Sequence, residues 1–161
     1  MTDTDTQTLG WDPLTLGELD HQLVKAPYVR LNSCTTGEQG DRVFFYDLRV
    51  CQPNQETLST IVLHSFEHLL LAGFKQYFGN HFICVAPMGC QTGFYLVLLN
   101  EGDARGICDA YEKILTGILQ AKEVPYANLE NCGQAVHHDL LASQQLAQTL
   151  LDQKESWRQI L

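Results

Sequence analysis

The sequence predicts an α+β fold in which an antiparallel sheet packs against helices. Two observations carry that prediction. Short alternating apolar segments and longer segments of helical periodicity occur along one chain of 161 residues. They do not follow the regular strand–helix alternation that builds a parallel sheet. No repeat and no low-complexity linker interrupts them, so a single domain over residues 18–161 is expected, behind a polar Thr/Asp/Gln segment (1–17) read as a flexible tail. The segment LVKAPYVRL (23–31) reads as extended, and Pro27, with no N–H to give a ladder, places it at a sheet edge. RVFFYDLRV (42–50) alternates as a strand, with Asp47 and Arg49 on one face and Tyr46, Leu48 and Val50 on the other. A turn at QPN (52–54) leads into a helix whose apolar residues Leu58, Ile61, Val62, Phe66, Leu69, Leu70 and Phe74 recur near helical spacing. HFICVAP (81–87) and TGFYLVLLN (92–100) read as strands about the turn MGCQTG. A second helix spans 103–121 with Asp103 as its N-cap, a third spans 139–152, and a short helical tail follows.

Composition narrows the function. Hydrophobic residues make up 45% and charged residues 18%, an ordinary balance for a globular protein. A net charge of −9 argues against nucleic acid or an anionic membrane as partner, since both reward a basic surface. No apolar run approaches the ~20 residues of a membrane span. The amino end lacks the basic start and apolar stretch of a signal peptide, so a cytoplasmic protein is expected. In that compartment the six cysteines are expected to be free thiols. No C-x-x-C pair supports a four-cysteine zinc knuckle. Cys90 and Cys132 stand apart from the rest because they lie beside turn residues rather than in apolar runs.

The stretch HSFEH carries chemistry. On a helix, offsets of 0, 3 and 4 put His64, Glu67 and His68 on one face, where two imidazoles share a metal ion and a carboxylate stands ready to move a proton. The spelling H-x-x-E-H is that of the inverted zincins, which makes a metallopeptidase the first reading. Further ligands are needed. Cys132 is a candidate as a thiolate, His137 and His138 are alternatives, and Glu112 or Glu123 would complete a peptidase-like set. Spacing alone does not choose among them.

Six blocks, in order, resemble those of the S-ribosylhomocysteine lyases, the LuxS family. They are ELDH (18–21), APYVR (26–30), YDLRVCQPN (46–54), HSFEHLL (64–70), PMGCQTGFY (87–95), and CGQA with HDL (132–135, 138–140). The resemblance weighs against a peptidase, since the related inverted-zincin peptidases are much longer chains that enclose their substrate. It implies a LuxS/inverted-zincin-like sandwich and a metal held by His64, His68 and Cys132, one divalent ion per subunit. That ion is Fe²⁺ in the most active form, with Zn²⁺ or Co²⁺ as alternatives. It implies acid–base roles for Cys90 and Glu67, a substrate pocket containing His21 and Arg49, and no organic cofactor. It also implies a homodimer with the pocket at the interface, His21 then serving the partner's site. The implied reaction splits S-ribosylhomocysteine into homocysteine and 4,5-dihydroxy-2,3-pentanedione, the autoinducer-2 precursor.

Departures from the family pattern cluster at polar positions. Leu16 stands where a serine is usual, and Cys84 and Ala86 where D-I-S-P-M-G-C has its acid and hydroxyl. Lys75 stands where an arginine is common and lacks the two-pronged carboxylate contact of a guanidinium. Two other readings accompany the lyase. One is a paralogue acting on a different sugar thioether. The other is a non-catalytic metal-binding dimer, against which the intact Cys90 and Glu67 argue.

Overall fold

The computed structural model describes residues 3–161. Its sheet contains β1 (Tyr28–Thr36), β2 (Arg42–Arg49), β3 (Phe82–Pro87) and β4 (Gly93–Leu99), in the order β1-β2-β4-β3. Every neighbouring pair is antiparallel, as expected from the sequence. Helices α2 (Thr60–Phe78), α3 (Ala104–Gln120) and α4 (Leu140–Asp152) pack together, and α2 also packs against β3. The core lies between helices and sheet. Val29, Leu31, Tyr46, Leu48, Phe94, Leu96 and Leu98 point into it from alternate strand positions and form one cluster with Phe66, Leu70 and Phe74 of α2 and Leu115 of α3. At about 25 cal/mol per Å² of apolar surface removed from water, this cluster is the main force docking α2 on the sheet.

Local chemistry sets the boundaries of α2. The Ser59 side chain accepts from the Val62 N–H at the N-terminus. At the other end Gly79 adopts φ 52, a left-handed conformation that stops the helix at little steric cost. Gly73 sits where α2 meets α3. A Cβ there would come within 2.5 Å of the Ile114 side chain, so the approach requires glycine. β1 is the edge strand that Pro27 suggested, but it continues to Thr36, five residues past the expected end. Those residues are mostly polar, and an irregularity between Leu31 and Ser33 breaks the alternation that would have marked them.

The expectation of a loose tail over 1–17 is corrected for the described residues. A short helix, α1 (Asp3–Thr8), leads to Trp11, which is 3% exposed. The Trp11 indole N–H donates to Gly102 O at 2.8 Å, and its ring lies 5.6 Å from that of Tyr46. Ala104 N donates to Leu9 O at 2.8 Å. Arg30 clamps the next residues, donating to Thr15 O at 2.6 Å and Gly17 O at 2.8 Å. One large aromatic in the core and a buried guanidinium order a segment whose average composition is polar. Residues 1 and 2 lie outside the described residues.

Trp11→Ala should therefore lower stability by ~3–5 kcal/mol, the range for truncating a buried large aromatic. Urea unfolding followed by far-UV circular dichroism measures it. A loss below about 1 kcal/mol would restore the loose tail.

Candidate metal centre and active-site cavity

Helix α2 presents His64 and His68 on one face, as their spacing requires, with Glu67 half-buried beside them. The irregular segment between α3 and α4 brings Cys132 and His138 to the same place. Their ligand atoms and those of the two α2 histidines all lie within 4.8 Å of one another. Cys132 Sγ is 3.4 Å from His64 Nε2 and 3.6 Å from His138 Nε2.

The surroundings fix which nitrogens face inward. His64 Nδ1 lies 3.0 Å from His137 O, and His68 Nδ1 lies 2.8 Å from Pro125 O. A carbonyl only accepts, so both Nδ1 atoms carry the proton and both Nε2 atoms offer lone pairs. Ser65 applies the same logic to His138. Its hydroxyl donates to Ile61 O at 2.7 Å and accepts from Asp139 N at 2.8 Å. Toward His138 Nδ1, 3.4 Å away, it has only a lone pair left, so that nitrogen also carries the proton. Burial, then the neighbouring His64, His68 and His137, hold the His138 imidazole below its ordinary pKa, in the neutral form a metal needs. Gln134 N donates to Cys132 Sγ at 3.4 Å, which orients the sulfur toward the imidazoles. Imidazole nitrogens and one thiolate with these second partners fit a divalent transition metal.

Other candidates fall outside the group. His137 supplies its carbonyl, and its ring turns to Thr60 Oγ1 at 3.2 Å. Glu112 is paired with Lys154 at 2.6 Å, and Glu123 is exposed and absent from the group. The carboxylate-completed peptidase set therefore has no counterpart among the described residues.

Cys90 lies in the turn between β3 and β4. That turn is tied to the approach to α2 by Leu58 N donating to Gln91 O at 2.9 Å. Cys90 lines a cavity of about 430 Å³ with His21, Arg49, Pro53, Asn54, Thr57 and Thr92. An adjoining cavity of about 510 Å³ shares His21 and Arg49 and extends to Arg30, Asp47 and Tyr95. Within one chain, then, His21 already stands with Arg49 and Cys90. The strand pair Asp47–Arg49 does two tasks at once. Arg49 Nη2 meets Asp47 at 2.8 Å, while Nη1 donates to Thr92 Oγ1 at 2.6 Å and reaches Cys90 Sγ at 3.8 Å. Because Thr92 accepts from Arg49, its own proton is free for Cys90 Sγ at 3.0 Å. Burial alone would raise the Cys90 thiol. Hydrogen bonds from Thr92 and the backbone, with the Arg49 charge, outweigh it and hold the thiol below its ordinary pKa. A separate groove of about 340 Å³ between α2 and α3, lined by Leu69, Gly73, Ile114 and Pro125 among others, contains none of these groups.

The model of the S-ribosylhomocysteinase (LuxS) family matches residues 16–160. The chain belongs to the LuxS family. An S-ribosylhomocysteine lyase of Chromohalobacter salexigens is 45% identical over 142 residues, covering 88% of this chain and 91% of the relative. Another from Halobacillus halophilus is 44% identical, covering 88% and 93%. One from Helicobacter pylori is 42% identical, covering 88% and 91%.

The LuxS blocks seen in the sequence fall on three structural parts. ELDH, APYVR and YDLRV build the walls around Asp47 and Arg49, PMGCQTG forms the Cys90 turn, and HSFEH with the C-terminal CGQA and HDL blocks forms the metal group. The Glu67 side chain makes no hydrogen bond or ion pair among the described residues. Cys84 and Ala86 lie on the sheet face away from the helices, opposite Val97 and Tyr95 of β4. Leu16 follows Thr15 at the Arg30 clamp, and Lys75 is exposed on α2. Sequence reasoning missed Ser65, Thr92 and Arg30. Ser65 lies inside HSFEH and Thr92 two residues after Cys90, but short hydroxyl residues carry no signal until their partners are known.

A depressed Cys90 pKa means thiolate at lower pH than a free thiol, whose pKa is ~8.5. Peptide-resolved iodoacetamide labelling against pH should give Cys90 a lower midpoint than a free thiol labelled alongside, rising in Thr92→Val. Equal midpoints in the two proteins would remove Thr92 from the account.

Proposed function

We infer that this chain is an S-ribosylhomocysteine lyase, producing homocysteine and 4,5-dihydroxy-2,3-pentanedione. The observation that carries the reading is the convergence of His64 Nε2, His68 Nε2 and Cys132 Sγ in a chain of this family. We take these three as the ligands of one divalent ion, with Fe²⁺ preferred and Zn²⁺ or Co²⁺ as substitutes, because a mixed nitrogen–sulfur set accepts all of them. Bound there, the ion supplies Lewis acidity that makes the C–H beside a sugar carbonyl acidic.

The residues of the chain do the rest. The Cys90 thiolate removes the proton from C2 of the open-chain aldose and returns it to C1, moving the carbonyl to C2. A second transfer, from C3 to C2, moves the carbonyl to C3. Arg49 and His21 line the same cavity and hold the sugar oxygens, the guanidinium favouring negative charge that develops on them. Glu67 then removes the proton at C4, the electron pair forms the C4–C5 double bond, and the C5–S bond breaks with homocysteine as the leaving thiolate. The thiolate takes up a proton, and the resulting enol becomes the diketone. The sum is substrate to two products with no oxidant and no organic cofactor.

We also propose a homodimer formed through the outer face of the sheet. That face carries Phe45, Tyr95 and Val97, only partly buried, with Phe45 and Tyr95 rings 4.9 Å apart, and the edge strand β3 leaves Ile83 50% exposed at its irregularity. The pairing would cover apolar area and close the cavity that Tyr95 lines. The free cysteines, Cys90 and Cys132 among them, suit a reducing compartment, the cytoplasm. No helix among the described residues is long and apolar enough to cross a membrane.

Anaerobic, Fe²⁺-loaded protein should release homocysteine thiol from S-ribosylhomocysteine, with kcat falling at least ~10²-fold in Cys90→Ala. Cys84, Ala86 and Leu16 leave fewer polar contacts for the amino-acid end, so KM is expected to be high while kcat is retained. Release undiminished in Cys90→Ala would dismiss its role. No release from metallated wild type would dismiss the lyase in favour of another sugar thioether. Sedimentation equilibrium should return twice the chain mass, and Phe45→Asp should return the monomer. A monomeric wild type would exclude the dimer.

A further inference from the structure

The family match begins at residue 16, yet residues before it are buried like core residues: Thr6, Trp11 and Thr15 are each 3% exposed or less. That segment is held at two ends. At the core end Ala104 N donates to Leu9 O, the Arg158 guanidinium to Gly10 O, and the Trp11 indole to Gly102 O. At the sheet end one nitrogen, Arg30 Nη1, donates to both Thr15 O and Gly17 O. A single 3₁₀ turn, Pro13–Thr15, joins the two ends. Asp12 caps it, its carboxylate accepting from Leu14 N at 2.9 Å and its carbonyl from Thr15 Oγ1 at 2.8 Å. So short a link transmits a shift of either anchor to the other. The edge strand is shaped to receive it. Leu31 pairs with Tyr46 and Ser33 with Phe45, which leaves Asn32 without a partner on β2. The Asn32 carbonyl accepts from Gly17 N at 2.8 Å instead.

We propose that residues 9–15 are a strap that positions the cavity wall at residues 17–21, with Trp11 and Arg30 as its positioning residues. The strap ends where the family match begins, and its consequence for catalysis rests on the lyase reading above. Gly17, His21 and Asn32 line the same cavity of about 510 Å³. No hydrogen bond among the described residues holds the His21 side chain, so its place is set by the backbone that carries it. That backbone is fixed at Gly17 by Arg30 and Asn32, and beyond His21 by Gln52 Nε2 donating to Val24 O at 2.8 Å. Without the Trp11 anchor, Thr15 O leaves Arg30 and the Gly17 end of the wall loosens. His21 then spends less time where sugar oxygens bind. Cys90 is tied to Thr92 and Arg49 instead and keeps its place. Substrate binding therefore carries the effect and the proton transfers do not.

Hydrogen exchange of full-length protein, read by mass spectrometry, tests the strap without substrate. Wild type, Trp11→Ala and Asp12→Ala are compared at labelling times that leave α2 protected. Asp12 is exposed, so its variant loosens the turn without opening the core. Peptides covering residues 16–24 should exchange at least about tenfold faster in both variants. Metal-loaded protein supplies the second reading: KM for S-ribosylhomocysteine should rise about tenfold in both, with kcat within about twofold of wild type. Exchange that quickens only over residues 3–11 and 101–104 would overturn the proposal, as would α2 loosening in step with 16–24, or KM unchanged in an active enzyme. Wild type that releases no homocysteine would defeat the lyase reading alone, and exchange over 16–24 would still decide the strap.

Discussion

The open face of the sheet depends on one buried carboxylate. Asp47 is 1% exposed in the middle of β2, where an unpaired charge would be expelled or neutralised. Two guanidiniums and a phenol meet it instead: Arg49 at 2.8 Å, Arg30 at 3.4 Å and the Tyr28 hydroxyl at 3.2 Å. Each partner then does work elsewhere. Arg30 spends its remaining donors on the carbonyls of Thr15 and Gly17, which sets the wall that carries His21. Arg49 reaches Thr92 and Cys90 and so joins the turn after β3 to the centre of the sheet.

Charge balance extends this constraint to chemistry. Two buried cations face one buried anion, which leaves a surplus of positive charge at the floor of the cavity. Burial opposes charge on Arg49, but Asp47 outweighs it and holds the guanidinium protonated far above any physiological pH. The surplus faces the Cys90 sulfur, 3.8 Å from Arg49 Nη1, and favours its thiolate form. Burial and the adjacent carboxylate meanwhile push the Tyr28 phenol up to about 12, so it remains a donor and adds no competing charge.

The metal group follows a parallel rule with neutral partners. Its acceptors are two carbonyls and a hydroxyl, supplied by residues 125 and 137 and by Ser65 on α2 itself. A fixed acceptor on one side of an imidazole dictates a lone pair on the other. Thus the long connection from α3 to α4 is positioned less by apolar packing than by hydrogen bonds to α2, and the metal side chains complete what those bonds begin.

Much of this was legible in the residues. Helical period places His64, Glu67 and His68 on one face wherever that helix forms, and strand alternation places Asp47 with Arg49 and apart from Tyr46 and Leu48. The Asp103 cap and the edge strand announced by Pro27 are likewise local. Other features were not. Trp11 ordering the N-terminal segment, the polar continuation of β1 through Thr36, and the Thr92 link between Arg49 and Cys90 all depend on groups 41 to 91 residues away or on a broken alternation. The choice between adjacent His137 and His138 is of the same kind. Neither lies in a periodic element, so no pattern says which ring turns inward; the Ser65 hydroxyl and the start of α4 decide it. The sequence by itself determined the elements, the family and the chemical types available, because periodicity and motif spacing are properties of neighbouring residues. Only the tertiary structure decided which lone pairs converge and which thiol is activated, because those depend on partners that long loops bring together.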